Sequence, residues 1–182
     1  MHLSRSHHPP AFTMMEMIIF MTMSVIIMGI TVSAVGGARN RAQLKEGVNI
    51  VVDAIQTARF KAMSNLEVGG CTVSKFEIEA TSVSTSPQQI SIVPNFIDQS
   101  CSSATLQTFN LPSQVQVRLD PAVYPNNEWP IQFAYETPGG DPAIVLLSTS
   151  SSVSSFDLIV SLRNGSLSQA ITVSTLTGIP EL

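Results

Sequence analysis

The chain has 182 residues, 44% of them hydrophobic and 12% charged, with a formal net charge of −4. That length suits one domain with an appended segment rather than two full domains. The acidic balance argues against a nucleic-acid partner held through a large basic face, because such binding relies on many Lys and Arg contacts to phosphate.

Residues 1–11 read MHLSRSHHPPA, a polar segment with His2, Arg5, His7 and His8. Its Pro9-Pro10 pair disfavours helix and keeps the backbone extended. The composition then switches abruptly. From Met17 to Val35 the chain carries no charge for 19 residues, close to the roughly 20 needed to cross a hydrocarbon core. Between Met14 and Val35 the single ionisable residue is Glu16.

Two ordinary readings compete for this run. A secretory signal peptide has an apolar region of about 7–15 residues before a small-residue cleavage site. Ser33-Ala34-Val35-Gly36 imitates such a site, but the run is longer and a helical pattern continues beyond it. An ordinary signal anchor accounts for the length but not for Glu16, since a carboxylate near the start of a membrane span is costly and a plain anchor has no use for it.

Beyond Gly36-Gly37, apolar residues recur as Leu44, Val48, Val51, Ile55, Ala58 and Ala62, at spacings of four and three. This places them on one face of an amphipathic helix. Arg41, Lys45, Asp53, Gln56 and Arg59 fall largely elsewhere. The pattern predicts a helix ending near Asn65, with Gly69-Gly70 breaking the chain after it. A continuous helix from Met14 to Asn65 would be about 78 Å long at 1.5 Å per residue. Gly29 and Gly36-Gly37 are the positions expected to loosen it.

From Cys71 the period changes to two. Strands are expected over 71–80, 88–93, 104–111, 114–119, 130–136, 143–149, 155–162 and 168–175, each rich in β-branched or aromatic residues. Asn164-Gly165 marks a hairpin turn, and Pro138-Gly139-Gly140-Asp141-Pro142 marks another. The expected class is therefore α+β: a long N-terminal helix, membrane-spanning in its first half and amphipathic in its second, packed on an antiparallel β-sheet head. The boundaries are 1–11, 12–36, 37–66 and 67–182. Cys71 and Cys101 belong to no C-x-x-C pair and have no His near them, which disfavours zinc. In an exported domain they form a candidate disulfide, adding about 3–4 kcal/mol in the chain-entropy model.

At the boundary between leader and apolar run the residues are Ala11-Phe12-Thr13, then Glu16. This arrangement resembles the prepilin N-terminal cleavage and methylation motif of the type IV pilin-like proteins and pseudopilins. In that motif a small residue, usually Gly, precedes the cut. An aromatic becomes the new N-terminus, Thr follows it, and Glu stands fifth in the mature chain. The chain departs from the motif at Ala11 and in using Met where the family often has Leu. The Ala58-Arg59-Phe60-Lys61-Ala62 segment and the closing strands are loosely similar to minor pseudopilins of the H type in type II secretion.

The resemblance implies a pilin fold and a role as a filament subunit. A prepilin peptidase would cut between Ala11 and Phe12, Phe12 would be N-methylated, and Thr13 and Glu16 would serve assembly. Glu16 would meet the charged N-terminus of a neighbouring subunit, a pairing in which loss of either partner leaves a buried charge uncompensated. The implied partners are other pilin or pseudopilin subunits, the peptidase, an inner-membrane assembly platform and the lipid bilayer. The implied location is the inner membrane, single-pass, with a cytoplasmic N-terminus and the head periplasmic or extracellular. The flanking charges run against that orientation: Arg5 precedes the span, whereas Arg39, Arg41 and Lys45 follow it.

No enzyme activity, cofactor or metal site is expected. All three histidines lie in the leader, so cleavage would leave no base for a Ser-His-Asp or Cys-His site. Asp120, Glu128, Glu136, Asp141 and Asp157 are scattered, and Gly139-Gly140 lacks the Lys of a phosphate loop. Trp129, Tyr124 and Tyr135 read as packing residues before a binding patch. The alternative to a filament subunit is a membrane-anchored, exported binding module for a surface, a substrate or DNA. For DNA, Lys75, Arg118 and Arg163 supply all the Lys and Arg charge after Lys61.

Overall fold

The computed structural model describes residues 13–64, 67–82, 84–98, 100–120, 131–136, 144–146, 155–174 and 179–181. Helix α1 runs over Met14–Met63, and the chain divides into two compact units, Met1–Arg39 and Asn40–Leu182. The expected helix end near Asn65 agrees to within two residues, and the assigned helix continues through Gly29, Gly36 and Gly37.

In the first unit the helix is apolar on every side. Its large side chains from Met14 to Ile30 are exposed, with Phe20 72% and Met28 70% accessible. It is long and apolar enough to cross a membrane, and none of its most apolar window is covered by the rest of the chain. The hydroxyls in this stretch turn inward on their own backbone. Thr22 Oγ1 donates to Ile19 O at 2.9 Å, Ser24 Oγ to Phe20 O at 2.7 Å, and Thr31 Oγ1 to Met28 O at 2.9 Å. Such bonds satisfy each hydroxyl within its own helix.

The second unit carries the β structure, and with α1 it gives an α+β arrangement. Among the described residues the strands are β1 (Glu67–Val68), β2 (Cys71–Ala80), β3 (Gln89–Phe96), β4 (Gln107–Asn110) and β5 (Val115–Leu119), followed by β6 (Ile131–Glu136), β7 (Ile144–Leu146), β8 (Ser155–Leu162), β9 (Ser168–Ser174) and β10 (Pro180–Glu181). They form two antiparallel sheets. One has the order β4-β3-β2-β6-β7 with β1 paired to the start of β2, and the other has the order β10-β9-β8-β5. The Asn164-Gly165 turn joins β8 to β9, with Gly165 in the left-handed region at φ 70° and its N–H donating to Leu162 O at 2.8 Å. The Pro138–Pro142 turn lies outside the described residues.

The core lies between the helix and the sheets. All six apolar positions that define the amphipathic face, from Leu44 to Ala62, are buried, and Ala54 joins them. They meet Val73, Phe76 and Ile78 of β2, Ile90 and Ile92 of β3, and the inward rows of β5, β8 and β9 in one cluster. Burial alternates along β5, as in Val115, Val117 and Leu119, because successive strand residues point to opposite faces. Gly47 packs against β5: a Cβ there would stand 2.6 Å from Val115 Cγ1.

Gln88 joins the two sheets. It is fully buried immediately before β3, and β5 is the edge strand of the second sheet. Its Oε1 accepts from Val117 N at 2.8 Å, and its Nε2 donates to Val117 O at 3.2 Å and to Thr81 O at 2.7 Å. The side-chain amide thus takes the place of a neighbouring strand along that part of β5. Arg163 adds further bonds to the loops before β3 and β5, donating from Nε to Ser113 O at 3.0 Å and from Nη2 to Thr85 O. Cys71 and Cys101 are disulfide-bonded, with their Cα atoms 6.4 Å apart and a sequence separation of 30.

Candidate functional site

The first candidate is the start of α1. Thr13 and Glu16 form a capping box, in which the first residue and the one three places on satisfy each other's unpaired helix-end donors. Glu16 Oε2 accepts from Thr13 N at 2.9 Å and from Thr13 Oγ1 at 3.0 Å, and Glu16 N donates to Thr13 Oγ1 at 3.3 Å. The carboxylate also stands in the first helical turn, where the macrodipole favours negative charge. The one acid of the apolar run is therefore held by its own helix. Thr-x-x-Glu before an apolar run is itself a sequence signature of a helix start, so this role could have been read from the residues. Ala11 and Phe12 lie outside the described residues, as do His2, His7 and His8.

The second candidate is a groove of about 570 Å³ in the head unit, between the last turns of α1 and β10. Its walls include Arg59, Phe60, Lys61, Met63, Ile179 and Pro180. Phe60 is 73% and Met63 63% accessible. Their side chains lie off the core-facing stripe because they stand two and one residues from the buried Ala58 and Ala62. Among the described residues the ion pair is Lys75–Glu77 at 2.8 Å, and neither Arg59 nor Lys61 has a carboxylate within that range. Arg59 Nε is buried without a hydrogen-bond partner. Burial pushes the Tyr135 phenol above its ordinary range, and the Arg59 charge opposes that rise.

The residues weighed for chemistry do not converge. Tyr135 is fully buried in the core, so it contributes to no surface patch, while Trp129 and Tyr124 lie outside the described residues. Pairing of β5 with β8 brings Asp120 beside Asp157, whose carbonyl accepts the Asp120 N–H at 3.1 Å. Glu136 ends β6, paired with Lys75 in register, and Glu128 and Asp141 lie outside the described residues. Among the described residues no three His, Cys, Asp or Glu side chains are grouped to hold a metal ion.

The exposed end of β3 is the remaining feature. Ile97 is 66% accessible, and Asp98 follows it. Asp98 Oδ1 accepts from Ser100 N at 2.9 Å, which holds its carboxyl below the usual range. Ile97 N donates to Thr72 O, and Cys101 N to Asp98 O, both at 3.1 Å. The disulfide from Cys101 to Cys71 fixes the same loop to the start of β2. The chain matches no protein-family model, no curated protein and no solved structure.

Proposed function

We propose that the chain is a structural subunit, of the minor kind, in a type IV pilus-like or type II secretion pseudopilus filament. On this reading a prepilin peptidase removes residues 1–11, Phe12 becomes the N-methylated terminus, and the head adopts a pilin fold on the periplasmic or extracellular side. The observation that carries the reading is the apolar half of α1, exposed on every side and capped at its start by Glu16. A surface of that kind needs either lipid or other apolar helices around it. A filament subunit uses both in turn, lipid before extrusion and neighbouring helices after it.

The capping box adds a step to this account. Cleavage before Phe12 leaves Thr13 in place, so the box survives processing. The carboxylate is then already hydrogen-bonded while the subunit waits in the membrane, and it keeps acceptor capacity for a neighbour's terminal ammonium, because an ionised carboxylate offers about four lone-pair sites. Capping and pairing can be separated by substitution. Gln can serve the box as Glu does but carries no charge. In a host with a pilus assembly system, Glu16→Gln and Glu16→Ala should both be processed and both fail to enter filaments. Normal assembly of Glu16→Gln would show that Glu16 is a helix cap only.

A further inference from the structure

The Asn40–Leu182 unit has four exposed large hydrophobic side chains among its described residues: Phe60, Met63, Ile97 and Ile179. Three of them line the groove at the end of α1, together with Arg59 and Lys61. The fourth stands next to Asp98. We propose that this groove receives the Ile97–Asp98 corner of a second copy of the chain, Ile97 against Phe60 and Met63 and Asp98 against Arg59 and Lys61.

Two observations favour this occupant. The groove pairs apolar side chains with two cations that form no ion pair among the described residues, and the corner pairs an apolar side chain with an anion, so both signs match. At the corner Asp98 accepts a hydrogen bond from Ser100, and the Cys71–Cys101 disulfide links Cys101 to the start of β2, restraints that lower the ordering cost of binding. The contact joins different patches of the two copies, which suits a growing assembly as well as a closed one. It rests on the filament reading in supposing that copies meet, and it assigns the head a part in that meeting beyond the apolar helix.

The test uses the full chain in native membranes with the photoreactive analogue in Phe60→benzoylphenylalanine and, separately, Met21→benzoylphenylalanine. Both positions are exposed. The expected result is a crosslinked dimer from the Phe60 probe whose attachment maps to the peptide carrying Ile97 and Asp98. Asp98→Lys, or Arg59→Glu with Lys61→Glu, should lower its yield roughly fivefold, and combining the reversals should restore it. Thermal unfolding and an intact disulfide check that each variant is folded. Attachment to lipid, to another peptide or within one copy would overturn the proposal, as would a yield indifferent to the reversals or no crosslink at Phe60. If the Met21 probe joins copies while the Phe60 probe does not, only the head contact falls. If neither joins copies, the filament reading falls with it.

Discussion

Gly47→Ala is the sharpest test of how the helix and the second sheet fit. An added Cβ would lie 2.6 Å from Val115 Cγ1 and 3.4 Å from both Cβ and Cγ2 of the same residue. The first distance is about 0.8 Å short of the closest comfortable approach, and Val115 has little room to yield. It is fully buried, paired with Leu162, and its N–H is held by Pro112 O at 2.8 Å. A valine also has few rotamers to choose from. The helix must therefore move off β5, and with so little slack the overpacking cost falls in the upper part of the usual range, about 2–3 kcal/mol. Replacing a helical Gly by Ala returns about 1 kcal/mol, so the net loss is roughly 1–2 kcal/mol.

For a head of this size that lowers Tm by about 3–10 °C, read by near-ultraviolet circular dichroism of the full chain in detergent micelles. Gly36→Ala, with nothing within 4 Å of its added carbon, should cause no such loss. Adding Val115→Ala to Gly47→Ala should destabilise less than the two single effects summed, by about 1 kcal/mol, as expected of residues in contact. A Gly47→Ala protein as stable as the original, or strict additivity in the double variant, would refute the close packing of α1 on β5.

Other consequences follow from single residues. Gln88→Leu strips partners from both Val117 backbone groups and from Thr81 O, and at about 1–3 kcal/mol for an orphaned buried group the two Val117 groups alone should cost roughly 2–6 kcal/mol in urea unfolding. An unchanged midpoint would remove Gln88 as the link between the sheets. Cys71→Ser with Cys101→Ser should lose about 3–4 kcal/mol, since the bond closes a loop of about thirty residues; reductant should reproduce the loss in the original chain and have no effect on the variant. Burial keeps the Tyr135 phenol protonated beyond its ordinary 10.0. Above pH 10 the unfolded chain then binds fewer protons than the folded one, so stability should fall as pH rises. Tyrosinate absorbance from Tyr135 should appear only with unfolding, a result that Tyr135→Phe isolates; its appearance in the folded head would contradict the burial.

Local pattern carried much of this fold, and long-range pairing carried the rest. The spacing from Leu44 to Ala62 identifies the buried face of α1 because that face depends on helical period alone. Alternation likewise locates β2, β5, β8 and β9. It does not say that β2 lies between β3 and β6, or that β5 leaves its sequence neighbours to pair with β8, since strand order depends on which inward rows meet across the core. The two-residue strands β1 and β10 are too short to show alternation. Gly47 in isolation reads as a weak point in a helix, and its purpose appears only when Val115 is brought against it. Gln88 stands in a polar Gln88-Gln89 pair at the entry to a strand, so nothing local marks one amide as buried and the other as exposed. The same holds for the groove: Phe60 and Met63 depart visibly from the apolar stripe, but Ile179 joins them only through the β9–β10 pairing.

The central claim, that this chain is processed and assembled as a pilin-like subunit, meets its most direct test in the N-terminal mass of the full chain co-expressed with a prepilin peptidase. The account predicts a mature protein beginning at N-methylated Phe12, shorter by residues 1–11, with Thr13 and Glu16 retained. A chain that keeps Met1 in the presence of active peptidase would contradict it and leave a membrane anchor carrying a disulfide-bonded β head.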